Sequence, residues 1–426
     1  MAKTFKFGEN GRWATKTGSS LAFNDQNDNF KPMPFSVIRD SIATRVNKQG
    51  LIEVVGKDKL RIDYKDSSKG VALLEPARTN LFTYSEALSN WTNIQNATVT
   101  DNDIVSPDGS QNASRINETT DNAVHRIFLN PTVASAKHSF SVFLKKGTRK
   151  WAYLRLDGAT SEQRTWFDLE NGVLGTVNSD HIATIDDFGN GWYRCSVSIA
   201  GTTYDTTPLG IIAITKGNNV QGYVGDVNEY IYAWGAQLEQ GSYATSYIPT
   251  SGASVPRAAD VANGAGNSEV FNDSEGVLFA NIRALADDLT FRQITINDGS
   301  LNTLLIGYRT NSNRIYTQLV SNNVSQSFLS FDVANITQFH KVATKYSTNS
   351  VHFWIDGFKR SSDTSAVMMT GINKMDLRGT TGSGLFFGKA KEIGVYDTAL
   401  TDAELEALTS YTSFTNMANE LNLTIK

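Results

Sequence analysis

The sequence predicts an all-β protein that contains two antiparallel β-sandwich domains. Only 19% of its 426 residues are charged, below the roughly 25% of ordinary soluble domains, and Asn, Ser and Thr take their place. Trp151–Asp157 and Trp192–Ile199 alternate apolar and polar side chains, which indicates strands with one buried face. The pairs Asn190-Gly191 and Asp356-Gly357 adjoin such runs. They are hairpin signals, because type I′ turns require positive φ at both central positions.

Residues 1–70 are predicted to form a short N-terminal β segment. Leu51–Val55 and Leu60–Tyr64 read as two strands around a polar turn. This segment is rich in Lys and Arg and is too small for a large core of its own. We therefore expect it to pack on a neighbouring domain or on a partner chain.

Residues 71–250 are predicted to form the first sandwich, because about eight strands follow one another at short spacing without a long helical period. The composition of residues 251–267 is that of a linker, rich in Gly, Ala, Ser and Asn. Residues 268–412 predict a second sandwich that ends in one helix. Thr401 and Glu404 form a capping box at the start of this helix, and residues 413–426 are predicted to be a tail.

Charge and motifs narrow the function classes. A net charge of −4 with a pI near 5.8 gives no footprint for nucleic acid, and no apolar run is long enough for a membrane span. The lone Cys195 cannot form an internal disulfide. The first residues show no apolar region of the kind that signal peptides contain, so we expect the protein to fold in a cytoplasm. The sequence lacks metalloprotease, phosphate-loop and nucleophile-elbow motifs, so we expect no catalytic residues and no cofactor. Asp186-Asp187 reads either as a solvated loop or as part of a structural Ca²⁺ site.

Ordered motifs between residues 36 and 260 resemble a module found in bacteriophage structural proteins. They are Arg61–Tyr64, Leu74–Leu81, Tyr84-Ser85, Asn90-Trp91, Gly189–Arg194, Trp234–Glu239 and Ala244–Thr250. The resemblance implies a carbohydrate-binding-module-like jelly roll in a tail, fibre or capsid-decorating protein. The stretches Phe353–Gly357 and Ile393–Leu405 more loosely resemble a concanavalin-like or laminin-G-like sandwich, in which the last strand leads into a short helix.

Strand alternation indicates a candidate glycan groove. On three strands of the first sandwich, the face away from the expected core carries Trp beside Arg or Asp. These residues are Trp151, Tyr153, Arg155, Arg164, Trp166, Asp168, Trp192 and Arg194. Flat rings stack on sugars, and Arg and Asp hydrogen-bond their hydroxyl groups. Trp354, between His352 and Asp356, is the analogous candidate in the second sandwich. The alternative is that the N-terminal segment, a loop or a neighbouring strand covers these rings.

The residues and the resemblance together predict a non-enzymatic virion protein that binds host-surface or environmental glycans. Single glycan sites are weak, so multivalency implies a homo-oligomer, such as a trimer, repeated on the particle beside other virion proteins. Residues 1–70 would then attach the chain or hold its copies together. Two alternatives remain open: a polysaccharide depolymerase whose carboxylates converge only in the fold, and a purely structural capsid decoration.

Overall fold

The computed structural model describes residues 4–25, 28–157, 162–201, 209–421 and 423–426. This part of the chain is all-β, with antiparallel pairing throughout, and the predicted fold class is confirmed. Two compact units are present. Unit 1 contains Met1–Asp40, Gly56–Pro76 and Ala259–Lys426, and unit 2 contains Ser41–Val55 and Ala77–Ala258.

In the described residues the strands, in chain order, are β1 Phe5–Phe7, β2 Thr15–Lys16, β3 Ser19–Ser20, β4 Phe23–Asn24, β5 Lys31–Pro32, β6 Phe35–Ile38, β7 Ala43–Val46, β8 Ile52–Val55, β9 Arg61–Asp63, β10 Val71–Leu74, β11 Arg78–Asn80, β12 Asn93–Gln95, β13 Ala97–Val105, β14 Gln111–Glu118, β15 Asn122–Ala123, β16 His125–Leu129, β17 His138–Lys146, β18 Trp151–Arg155 and β19 Arg164–Asp168. The chain continues with β20 Val173–Leu174, β21 His181–Asp187, β22 Trp192–Ile199, β23 Gly210–Thr215, β24 Tyr223–Val224, β25 Tyr230–Gln240, β26 Val255–Arg257, β27 Val261–Asn263, β28 Glu275–Ala284, β29 Arg292–Asn297, β30 Thr303–Tyr308, β31 Arg314–Ser321, β32 Val324–Asp332, β33 His340–Ser347, β34 Ser350–Ile355, β35 Phe358–Asp363, β36 Lys374–Asp376 and β37 Gly388–Tyr396, then the helices α1 Asp402–Thr409 and α2 Phe414–Glu420.

Unit 1 is a sandwich of a ten-stranded and a five-stranded sheet. The larger sheet has the order β35-β34-β33-β28-β37-β1-β4-β5, and β10 also pairs with β37 and with β9. The smaller sheet has the order β32-β31-β30-β29-β36. Leu278 and Ile393 of the first sheet share one apolar cluster with Ile294 and Ile306 of the second, because alternate residues of each strand face inward.

Unit 2 is a sandwich of two six-stranded sheets. Their orders are β12-β16-β23-β18-β19-β20 and β13-β14-β25-β17-β22-β21. Leu154 and Phe167 of the first sheet pack in one cluster with Phe140 and Val197 of the second. The predicted inward faces of β18, β19 and β22 therefore do form the core.

The units follow different boundaries from the predicted ones, and residues 1–70 are not a separate segment. Phe5–Phe7 and Ala72–Leu74 both pair with β37, so the start of the chain completes the sheet of the C-terminal block. The hairpin of β7 and β8 instead belongs to unit 2. Strand pairing joins these segments because apolar strands too short for their own core gain a buried face in this way.

The predicted linker, residues 251–267, contains two paired strands. Val255–Arg257 pairs with β11 in unit 2, and Val261–Asn263 pairs with β6 in unit 1. Gly, Ala and Ser content therefore did not distinguish a linker from short edge strands, because backbone pairing needs no large side chains.

Two helices close the described chain, where the sequence predicted one. The capping box of α1 is confirmed: the Thr401 hydroxyl accepts from the Glu404 amide, and the Glu404 carboxylate accepts from the Thr401 amide. The predicted tail also contains α2, whose Ser413 side chain accepts from the Asn416 amide. Within the described residues, neither helix is long and apolar enough to cross a membrane.

The predicted hairpin positions adopt positive φ. Asn190 and Gly191 have φ of 52° and 77°, and Asp356 and Gly357 have φ of 51° and 83°. Ile355 pairs directly with Phe358, so Asp356-Gly357 forms a two-residue loop of the kind that type I′ turns make.

Candidate functional site

The structure divides the predicted glycan groove between the two sheets of unit 2. Trp151 and Trp166 lie on the sheet that contains β18 and β19, whereas Trp192 lies on β22 of the other sheet. Each side chain points away from the sandwich core, so the two groups face opposite sides of the sandwich. The expectation of a single groove across three strands is therefore wrong.

We call the outer side of the first sheet the arginine–aromatic face, and define it by Arg126, Phe128, Trp151, Tyr153, Arg155, Arg164 and Trp166. Strand register assembles it: Tyr153 lies opposite Trp166, and Arg155 lies opposite Arg164. The rings of Tyr153 and Trp166 have centroids 5.4 Å apart. These cross-strand neighbours are the unit that stabilises a sheet surface.

The centre of this face is buried, whereas strand alternation predicted an open face. Tyr153 is 0% exposed and Trp166 is 4% exposed, and the Trp166 indole N–H donates to the Val220 carbonyl at 3.2 Å. Trp151 remains half-buried. The two central rings therefore form a floor, and only the flanks of the face reach solvent.

Carboxylates compensate the charge of the two central arginines. Arg155 Nε donates to both oxygens of Asp157, at 2.8 and 3.0 Å, and both Arg155 and Arg164 pair with Glu162. These pairs offset the repulsion that two opposed guanidinium groups would otherwise create across the strands. The Glu162 side chain is 58% exposed, so it is the member of this group that a ligand could displace.

Sequence reasoning missed Arg126 and Phe128, which lie on the accessible flank of the face. Arg126 donates from Nε and Nη2 to Gln95 Oε1, at 3.0 and 2.8 Å, and its guanidinium lies 5.3 Å from the Phe128 ring centroid. Both residues are half-buried. Burial lowers the pKa of Arg126, and the nearby Arg155 and Arg164 lower it further. An acceptor at this flank would meet a cation beside a partly accessible aromatic ring.

The alternation of inward and outward side chains along β16 was the sequence signal that could have placed Arg126 and Phe128 on this face. Within His125–Leu129, Ile127 faces the core while Arg126 and Phe128 face outward. Five residues are too few to distinguish a strand from a loop by periodicity alone.

Asp168 supports a turn, and it is not placed as a sugar ligand. One carboxylate oxygen accepts from the amides of Glu170 and Asn171, at 2.9 and 3.2 Å, and the other accepts from the Asn171 side chain at 2.8 Å. Asp residues commonly stabilise turns in this way. All three hydrogen bonds stay within the turn and Asp168 is 7% exposed, so the structure does not support its predicted role as a sugar ligand.

The N-terminal hairpin contributes to the cover of Trp192, which was the alternative interpretation. Trp192 is 2% exposed and packs with Ile52 of β8 and with Phe143, and its indole N–H donates to the Val105 carbonyl at 3.1 Å. Arg194 stacks on Phe143 and donates to Ser141 Oγ at 2.9 Å. The expectation that the Trp192 ring is open to a glycan is wrong, because a segment distant in sequence packs against it. Arg194 remains half-buried.

Trp354 of unit 1 is covered in a similar way. It is 5% exposed and shares an apolar cluster with Phe279, Leu400 and Leu405. Leu405 belongs to α1, so this helix packs over the outer face of β34. Trp354 is therefore a core residue of unit 1, and the expectation of an accessible platform there is wrong.

The described residues contain no group of three or more His, Cys, Asp or Glu side chains placed to hold a metal ion. Asp187 accepts from the Gly189 amide at 2.7 Å, which stabilises the turn before β22. The possible Ca²⁺ site stays a prediction. His181, by contrast, is buried between the Thr165 hydroxyl and the Leu156 carbonyl, at 2.9 and 2.8 Å, and burial lowers its pKa.

No protein-family model matches the chain, and no curated protein matches it. Among solved structures, the chain is similar to domains LG4-5 of the mouse laminin alpha1 chain. The identity is 10%, the match covers 66% of this chain and 92% of that chain, and the TM-score is 0.21. At this identity and TM-score the similarity carries no argument about function. The resemblance to bacteriophage structural proteins therefore stays a prediction.

Proposed function

We propose that this chain is a non-enzymatic structural protein of a bacteriophage virion that binds glycans through the arginine–aromatic face of unit 2. One observation carries the glycan-binding part of the proposal. On that face Arg126, Phe128 and Trp151 remain partly accessible at the edges of a buried Tyr153–Trp166 floor.

The chemistry of these edges suits a sugar chain. Phe128 and Trp151 offer ring faces for the C–H side of a sugar ring, and Arg126 offers N–H donors for hydroxyl or carboxylate oxygens. Phe128 and Trp151 pack against the buried Tyr153–Trp166 floor, and this contact restrains their rings before binding and lowers the entropy cost of ordering them.

Such a shallow site binds weakly, so the proposal includes repetition of the site. Copies in a homo-oligomer such as a trimer, itself repeated on the particle, would multiply modest affinities. The partners would be other virion proteins, and the chain would be made in the host cytoplasm before assembly. Sedimentation of the purified chain tests the homo-oligomer. Immunogold labelling of intact particles separately tests the location on the virion.

The double variant Arg126→Ala/Phe128→Ala tests the site itself. On a glycan array that includes host-surface polysaccharides, we expect it to lose binding by about tenfold or more, the worth of one charge-assisted hydrogen bond. The matched control is Arg115→Ala/Tyr230→Ala, which removes an arginine–aromatic stack of similar geometry (5.4 Å) from the other sheet of the same unit. Equal binding by both double variants would refute the proposed site.

The burial of Trp166, Trp192 and Trp354 favours a second candidate, a purely structural decoration protein. This candidate predicts no hit on the array together with clear labelling of the capsid. A depolymerase is the third outcome. It would release reducing ends from host capsular polysaccharide, whereas a binding protein would leave the polymer intact.

A further inference from the structure

Unit 1 contains a cavity of about 400 Å³ on the outer face of its ten-stranded sheet. Asn281 of β28 lines it and lies between Lys341 of β33 and Glu392 of β37 in the strand register. We propose that this cavity binds a single acidic sugar residue, a ring that carries one carboxylate and several hydroxyl groups. The inference uses none of the residues of the arginine–aromatic face and does not depend on the function proposed for it.

The cavity has the size and the enclosure of a small-molecule site. The volume lies in the range of about 300–1,000 Å³ that is usual for small-molecule sites. Segments outside the core of the sandwich close the cavity: the turn at Asn10-Gly11, the loop of residues 67–70, and α2. Each of them brings backbone and polar groups to a surface that the sheet alone would leave open.

The rim is held in place before any ligand arrives. Gly11 has a φ of +74°, and a Cβ atom there would lie 2.7 Å from the Lys69 Cβ. The Trp13 indole N–H donates to the Gly70 carbonyl at 3.1 Å, and Lys391 holds both carboxylate oxygens of Glu420 at 2.5 Å. A preorganised rim reduces the entropy cost of binding.

The charged side chains that line the cavity favour an anionic ligand. Three lysines and two glutamates line the cavity. The Lys391–Glu420 pair neutralises itself, which leaves Lys69, Lys341 and Glu392 and an excess of one positive charge. The Lys341 ammonium donates to the Ser410 carbonyl at 2.6 Å, and among the described residues no carboxylate lies within ion-pair distance of it. Burial lowers the pKa of Lys341, and the carboxylates of Glu392, Glu420 and Asp356, which lie beyond ion-pair distance, oppose this effect without cancelling it. A ligand carboxylate would supply a close anion.

The polar groups that line the cavity also favour a ligand with hydroxyl groups. Asn281 Oδ1 is buried and accepts no hydrogen bond in the described part of the chain, so it needs an O–H or N–H donor. Tyr411 also lines the cavity, and burial raises its pKa, so its phenol stays protonated and can donate and accept. A carboxylate beside ring hydroxyls satisfies all three groups, whereas acetate has no O–H or N–H donor to offer Asn281 Oδ1.

Calorimetric titration of the full chain with D-glucuronate, D-glucose and acetate tests this site. We expect saturable glucuronate binding about tenfold or more tighter than binding of the other two probes, the effect of one charge-assisted hydrogen bond. Comparable binding of glucose would overturn the requirement for an anion, and comparable binding of acetate would overturn the requirement for a sugar. Absence of glucuronate binding would overturn the site.

Variants locate the binding within the cavity. Asn281→Asp keeps the shape and places a carboxylate against the ligand's own, so we expect it to abolish glucuronate binding while the melting curve shows an intact fold. Lys341→Met should do the same, and Lys345→Met, on the same strand but outside the cavity, should bind normally. Unchanged binding by Asn281→Asp would refute the proposal. Arg126→Ala/Phe128→Ala should still bind glucuronate, which separates this site from the face of unit 2.

Discussion

Asp260 holds a buried charge network in unit 1, and its replacement by Asn gives a sharp prediction. Arg39 and Arg61 are both 0% exposed. Arg39 Nη1 donates to Asp260 Oδ1 at 2.8 Å, Arg61 donates to Oδ2, and the Glu75 amide donates to Oδ2 at 2.9 Å. Burial opposes the charge of Arg61, but the carboxylates of Asp260 and Glu75 outweigh it and raise its pKa. Asp260→Asn would replace the carboxylate that both buried guanidinium groups share with a neutral amide.

The expected loss is about 3–5 kcal/mol of unfolding free energy, the usual cost of removing one partner from a buried ion pair. For a unit of this size that corresponds to a drop in melting temperature of about 6–20 °C, at roughly 2–4 °C per kcal/mol. Urea unfolding followed by circular dichroism, with calorimetry, measures both quantities. Asp40→Asn is the control, because the Asp40–Lys57 pair of the same unit is exposed and its loss should leave the midpoint unchanged. A loss below about 1 kcal/mol for Asp260→Asn, the level of a surface pair, would refute the argument from burial.

Three further predictions concern the pH dependence of stability, a buried ring and a helix cap. Burial opposes protonation of His340, but Asp356 at 2.6 Å outweighs it and raises the His340 pKa. The stabilisation from this pair should therefore be complete below the unfolded value of 6.5 and be lost as pH rises through the raised value. Urea midpoints measured from about pH 6 to 8 should fall as this stabilisation is lost. A His340→Gln variant whose midpoint falls with pH as steeply as that of the unmodified chain would contradict the prediction. Trp166→Ala should cost about 3–5 kcal/mol in a urea titration, because its ring is 4% exposed, and an unchanged midpoint would contradict the burial. Thr401→Ala removes the acceptor for the Glu404 amide and should cost about 1 kcal/mol by the same method, whereas Thr401→Ser should cost little; equal losses would contradict the cap.

Alternation of apolar and polar residues predicted strands and their inward faces well. Ala152, Leu154 and Phe167 lie in the core of unit 2 as expected, because the two-residue period of a strand fixes which side chains share a face. The same period says nothing about what covers the other face. β8 packs against Trp192, and α1 packs over Trp354, and both covers are distant in sequence from the strands that they cover.

The linear division into domains failed for the same reason. Lys389 of β37 donates to Asp63 at 3.0 Å across 326 positions of sequence, and both residues belong to unit 1. Local composition does not report pairing at such a distance, so residues 1–70 read as a separate segment. The cavity of unit 1 was invisible for a related reason, since β28, α2 and the turn at Asn10-Gly11 meet only in the fold.

Titration of the isotopically labelled chain with an oligosaccharide from the glycan array, followed by NMR of the seven tryptophan indole N–H groups, tests glycan recognition most directly. We expect the Trp151 signal to shift in a saturable manner, together with the side-chain signals of Arg126. The signals of Trp192, on the other sheet, and of Trp354, under α1, should stay in place. Shifts at Trp192 or Trp354 with none at Trp151, or no shift at any indole while the chain retains binding, would contradict recognition by the arginine–aromatic face.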